Sequence, residues 1–493
     1  MLQIHYIRVS FARSALFFAR SAVFLVLGLA LVALVACSSD SGGGGGDDSS
    51  SSKGNSSISS SSGGGTSSGG GGTSSDGGGT SSGGGGTSSG GGSSSPSNLD
   101  DLGLENAIVI KYKNGSAPEI KNDYSSKVTI TATDENVVVK IADSIYHFVL
   151  TGSTGNGSLK ISGDFKKSLY LNGVSITNSK GPAINIQNDK QVKNSKNSKR
   201  VNVHLVNGTQ NLLSDAAGYK CSGFADGEEQ AKGTFFSEGK LEFKDGGSLE
   251  VKGKCNHAIV ADNNIEIESG KINVSEAKGD GIHANEGIEV KGGDITIKSV
   301  GDGIQSEKAP AGAVSEWVVF SGGKINVQTT DVRSHGIVSE GPITVKGNVD
   351  ITIKVSGNGS KGIKSKSWVE FLGGKTSIQT SGTTDNSDPN DDSNATGLKL
   401  ASDLMFNAGE LTVKTTGAGA KGINIDGKAT IKGGTIDIDA KDDGIKIKGA
   451  LAISGGAVKV KAGTGSKALN TGDTGSCSKT GGTIEGFECK GGF

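Results

Sequence analysis

Asp280 and Asp302 stand in the same tetrapeptide, Gly-Asp-Gly-Ile, met at 279–282 and again twenty-two residues later. If the chain returns to the same place once per period, the two carboxylates lie about 5 Å apart, and like charges directly opposite one another destabilise unless something intervenes. A calcium ion would supply that, because it takes carboxylate and carbonyl oxygens in flexible geometry. Three residues past each repeated isoleucine a second series reads Asp262, Asn285, Glu307 and Glu340, so Asn285 and Glu307 join Asp280 and Asp302 as candidate calcium ligands. Asp443 differs. Lys421 and Lys467 hold the same place one period to either side of it, so an ion-pair ladder accounts for this acid without a metal.

Sugar binding asks for exposed aromatic faces on which the C–H groups of a pyranose ring can pack. Trp317 and Trp368 are the two tryptophans, each five residues before the first glycine of a Gly-Gly pair. Alternation puts Val318, Phe320, Val369 and Phe371 inward, so both indoles are expected outside, two periods apart at about 9.5 Å. That spacing is comparable to one β-1,4-linked disaccharide. The insertions 306–315 and 382–395 are the alternative, since they would cover the tryptophans and make them satellite core.

Catalytic signatures are missing. The sequence holds no His-Glu-x-x-His and no Gly-x-Ser-x-Gly, and Val369 stands where a P-loop at Gly373-Gly374-Lys375-Thr376 would need its first glycine. His283 and His335 read as surface turn residues. Lys278 and Lys308 flank the aspartate pair, where a polysaccharide lyase would keep its base, but neither sits in a motif for one. The chain is therefore read as a binding protein and not an enzyme.

The element that must position these residues is a short coil. Isoleucine or leucine after glycine or alanine recurs at Ile259, Ile282, Ile304, Ile337, Ile363, Leu398, Ile423 and Ile445, and a fixed period of this size means a solenoid. One period holds three alternating runs, Ile282-x-Ala284, Ile288-x-Val290 and, after Gly292-Gly293, Ile295-x-Ile297. Three strands per coil of about 22 residues predict an all-β, right-handed parallel β-helix, with the Gly-Gly pair at a corner needing positive φ or close backbone approach. A β-sandwich is the rival, because Asn-Gly hairpin signals also occur.

The ends are unlike the coils. Residues 1–36 carry Arg8, Arg13 and Arg20 and then an apolar run ending Leu34-Val35-Ala36-Cys37, which reads as a secretory signal and resembles the lipobox of bacterial lipoproteins. Cys37 would carry the lipid, anchoring the protein to a membrane without crossing it, and Ser38 after it favours the outer membrane, facing the cell exterior. An uncleaved anchor is the alternative. Residues 37–97 form a Ser/Gly-rich linker expected to stay disordered, with a reach on the order of 40 Å. Residues 98–200 read as a cap and first coils, and 201–493 as the main β-helix.

With 50 basic and 51 acidic residues the chain has no basic footprint for nucleic acid. Cys221, Cys255, Cys477 and Cys489 are an even set in an exported chain, consistent with two disulfides, of which Cys477 with Cys489 would staple the last turn. A zinc site is the alternative, although no Cys-x-x-Cys is present.

The stretches VNVHLVNGTQNLLSDA (201–216), GTFFSEGKLEFKDGGSLEVKG (233–253), GDGIHANEGIEVKGGDITI (279–297) and DDGIKIKGALAISGGAVKV (442–460) together resemble a bacterial carbohydrate-binding family built on a right-handed parallel β-helix. That family's founding members bind cellulose and pectin-like polymers and are similar to calcium-dependent pectate lyases. The resemblance, over roughly residues 105–470, implies polysaccharide binding and bound calcium. Two other functions stay open: a calcium-dependent lyase, and a structural adhesin or stalk that retains no glycan.

Overall fold

The computed structural model describes residues 102–104, 106–188, 200–219, 221, 232–307, 317–387 and 393–489. The expected signal segment, Cys37 and the 37–97 linker lie outside the described residues, as does Lys308.

Short runs of β-branched residues bury their apolar faces here by stacking on copies of themselves. Each period does this with three strands. His257–Ala261, Ile265–Ile267 and Lys271–Ala277 make one coil, and Ile282–Ala284, Ile288–Val290 and Asp294–Ser299 the next. Every strand pairs in parallel with its equivalent one coil on, so the isoleucines align as Ile259↔Ile282↔Ile304↔Ile337↔Ile363↔Leu398↔Ile423↔Ile445. The fold is all-β, a parallel β-helix, with no α-helix among the described residues. The first of the three ladders is a 14-stranded sheet. The second and third merge into a 24-stranded one, because Val369–Thr380 and Leu404–Thr415 run on through the corner between them.

Inside, Phe235, Phe243, Phe320, Phe371 and Phe406 are fully buried among the aliphatic ladders. Each such side chain contributes about 1.5–3 kcal/mol on leaving water.

Two kinds of glycine shape the coil. The second glycine of the Gly-Gly corner takes positive φ, 93° at Gly293, 84° at Gly323 and 74° at Gly374. The glycine before each ladder isoleucine does not. It is required by close approach: a Cβ at Gly303 would lie 2.1 Å from Val327 Cγ1, and one at Gly362 would lie 2.2 Å from Ile378 Cγ2 and 2.6 Å from the Gly397 carbonyl oxygen.

The stack opens with two antiparallel hairpins. Ser116–Lys121 folds back on Ile108–Lys113, and Val128–Thr133 on Asn136–Ile141, before parallel pairing takes over. Disulfides join Cys221 to Cys255 and Cys477 to Cys489.

Candidate functional site

In the coils from Asp280 to Lys361 the residue before the ladder Gly-Ile sits at a corner, where its N–H lies outside the backbone ladder and needs another acceptor. The side chain one coil earlier provides it. Asp280 N–H donates to His257 Nδ1 (2.9 Å), Asp302 N–H to Asp280 Oδ1 (2.8 Å), His335 N–H to Asp302 Oδ1, and Lys361 N–H to His335 Nδ1 (3.1 Å). The column is thus a relay of acceptor side chains over four successive coils. After Lys361, which has no acceptor to offer, backbone carbonyls of Ser360 and Ala395 take over for Thr396 and Lys421. Asp443 resumes the pattern by accepting Lys467 N–H (3.0 Å). Lys421 pairs with Asp442 (2.9 Å), so the ion-pair ladder expected at Asp443 is one residue displaced.

The other carboxylate oxygens meet on the outer face. Asp280 Oδ2 lies 2.8 Å from His283 Nδ1 and 3.1 Å from His257 Nδ1, and the two imidazole centroids are 4.6 Å apart. Gln305, with its amide nitrogen turned inward, reaches Asp280 Oδ2 at 2.8 Å and Asp302 Oδ2 at 3.2 Å. Burial pushes the Asp280 carboxyl up, but the His257 and His283 imidazoles beside it outweigh that and hold the group well below the usual carboxylate range. At Asp302 the hydrogen bond from His335 N–H is outweighed. Burial, then the Asp280 charge, pushes the carboxyl up to about 7.

The structure therefore brings Asp280 and Asp302 together and leaves the other two candidate ligands apart from them. Asn285 donates to Asp262 Oδ1 (2.9 Å), which Lys232 also holds, while Glu307 Oε1 is 3.4 Å from His283 Nε2. The physical reason is that 285 and 307 follow their strands while 280 and 302 precede them. His283 and His335 are corrected as well: both are buried, at 6% and 5% exposure, because stacked columns screen one another. Sequence reasoning missed Gln305 and the grouping of His257, Asp280 and His283, whose ligand atoms all lie within 4.8 Å, close enough to share a metal ion. The signal was present: His283 is the outward residue of its strand, beside the Asp280 column.

Strand register places Trp317 and Trp368 two coils apart, through Val318↔Ile343↔Val369. Trp317 is not the free face that alternation suggests. Its ring lies over Gly341, where a Cβ would come within 1.7 Å, and its buried indole N–H has no partner among the described residues. The exposed part borders a hollow of about 150 Å³ with Lys240, Glu266 and Glu289. Trp368 is half-buried.

A rod of stacked coils, with polar columns along its outer faces, defines a class of β-solenoid. The chain belongs to the family of carbohydrate-binding domain-containing proteins, whose family model matches residues 124–419 and 383–486. One such protein of Acetivibrio thermocellus is 30% identical over 130 residues, 26% of this chain and 42% of the relative, so the chain spans less than half of that relative's length. A polysaccharide lyase-like protein from C. thermocellum, solved as a gadolinium derivative, aligns over 70% of this chain and 96% of its own, with 18% identity and a TM-score of 0.33. At that score the likeness adds nothing to what the strand pairings show.

Proposed function

We propose that the protein binds a cellulose- or pectin-like polysaccharide along the outside of its β-helix, without turning it over, and is held at the cell surface through a lipid on Cys37. The observation that carries this reading is the family match, which runs through the coils themselves. Trp368, half-exposed at a coil corner, is the sugar-stacking residue, and the exposed edge of Trp317 extends its row two coils away.

Calcium belongs to the same proposal. With its amide turned over on binding the ion, Gln305 would join Asp280 Oδ2 and Asp302 Oδ2 in offering three oxygens, a donor set that suits a hard cation completed by water. These three residues would hold the ion, which would neutralise two carboxylates that otherwise repel.

The test is retention of the full chain by cellulose, xylan and pectate, with and without chelator. Trp368→Ala is expected to weaken binding several-fold, at about 1 kcal/mol per aromatic stack, with little change in stability. Chelation is expected to lower the thermal midpoint, since a native-state ligand at a hundred times its Kd contributes about 2.7 kcal/mol, and Asp302→Asn should abolish that sensitivity. Failure of all three polymers to retain the protein would end the binding proposal; an unchanged melting profile on chelation would remove calcium from it.

The tether has its own readout. Cys37→Ser is expected to move the protein from the membrane fraction to the soluble one. Continued membrane association with the leader demonstrably removed would count against a lipid at Cys37.

A further inference from the structure

The third strands of five successive coils carry one outward column that reads Lys298, Gln328, Lys354, Gln379, Lys414 in strict register. All five side chains are exposed, and none has an ion-pair or hydrogen-bond partner among the described residues. The column four residues earlier on the same strands reads Asp294, Lys324, Asp350, Lys375, Glu410, so opposite charges alternate from coil to coil there, and Lys375 pairs with Glu410 (3.1 Å). The lysine–glutamine column has no counter-charge over five coils, until Asp439 follows Lys414.

Its surroundings are built of short polar groups. On one side run Thr296, Asn326, Thr352, Ser377 and Thr412. On the other, the turn residues Thr330, Ser356, Ser381 and Thr416 line a groove of about 370 Å³ along the helix axis, together with Gln328, Lys354, Gln379 and Lys414. The groove is open at the surface, and no aromatic side chain lines it.

We propose that this column is a binding site for a linear acidic polysaccharide whose carboxylates recur on one side once per disaccharide. Coils repeat at about 4.8 Å, so the ammonium groups recur at about 9.6 Å, close to one disaccharide of an extended 1,4-linked chain. A carboxylate meets each lysine, the intervening glutamines and the flanking hydroxyls meet sugar hydroxyls, and the polymer lies parallel to the rod. Charge complementarity selects the class of ligand, and periodicity selects its order. A nucleic acid fits less well, because single-strand binding relies on aromatic platforms that the groove does not have.

The inference rests on the polysaccharide-binding reading, and the experiment separates the two. Affinity of the full chain is measured for sodium pectate, fully methyl-esterified pectin, cellulose and single-stranded DNA, in wild type, in the triple variant Lys298→Gln/Lys354→Gln/Lys414→Gln, and in Lys324→Gln/Lys375→Gln as a neighbouring charge control. Exposed pairs contribute little singly, so the triple variant is expected to lose about tenfold for pectate. Wild-type pectate binding should weaken with salt, and that dependence should shrink in the triple variant. The control variant should bind pectate as wild type does, and cellulose retention should not change in either variant. Three results would overturn the site: unchanged pectate affinity in the triple variant, an equal loss in the control, or DNA bound as tightly as pectate and lost in parallel. Retention of none of the glycans would instead remove the reading on which it stands.

Discussion

Gly362→Ala is expected to cost about 3 kcal/mol or more, the upper end of what overpacking does in a close-packed interior. The added methyl would sit 2.2 Å from Ile378 Cγ2 and 2.6 Å from the Gly397 carbonyl oxygen. The first contact is with a side chain that itself has no free space, and the second is with the backbone of the next coil. Neither yields without moving a ladder. Ile378→Ala removes one of the two obstacles, so the double variant should lose less than the sum of the singles, a favourable coupling of more than about 0.5 kcal/mol. Urea unfolding of the four proteins reads this directly. A Gly362→Ala protein that unfolds at the wild-type urea concentration would mean that the two ladders are not in contact.

Acid is expected to destabilise the protein through His335. Its Nδ1 accepts Lys361 N–H, and its Nε2 is 3.2 Å from Lys364 Nζ. Burial, then the charges of Lys364 and Lys361, hold the imidazole down to about 2, whereas in the unfolded chain it protonates near 6.5. Below about 6.5 the unfolded state therefore binds a proton that the folded state refuses. Stability is complete above that pH and falls as the pH drops, by up to about 1.4 kcal/mol per unit. At pH 4.5 this one side chain would account for about 2–3 kcal/mol. Asp302 acts in the opposite sense: raised to about 7, it loses its contribution as the pH climbs from the ordinary carboxylate range toward neutrality. The readout is accordingly the difference between wild type and His335→Gln, which keeps an acceptor for Lys361 N–H and does not titrate. Parallel stability curves for the two proteins between pH 7 and 4.5 would exclude His335 as the source.

What the sequence revealed depended on whether a property repeats with the coil. The isoleucine ladder, the positive-φ corner glycines and the meeting of Asp280 with Asp302 all follow from period alone, because equal positions stack. The burial of His283 and His335 does not. It depends on neighbouring columns screening one another, which requires the outward residues of several coils to be set side by side. The fold of Trp317 onto Gly341 is a single side-chain orientation, and alternation cannot supply it. The Lys298 to Lys414 column lies between these cases. Its residues are plain in the sequence, but the insertions at 306–315 and 382–395 break the spacing, and only strand register shows that the lysines fall in every second coil.

The two hairpins at the start of the stack also guard one end of the rod. A pile of parallel strands ends in a row of unpaired N–H and C=O groups, a template onto which another molecule could polymerise. Here that row is occupied by the chain's own reversed strands, Ser116–Lys121 and Val128–Thr133. The first of these carries Pro118, which withholds a donor, and exposed Glu119 and Lys121, whose charges resist desolvation. Head-to-tail growth into a filament is thereby opposed at that end.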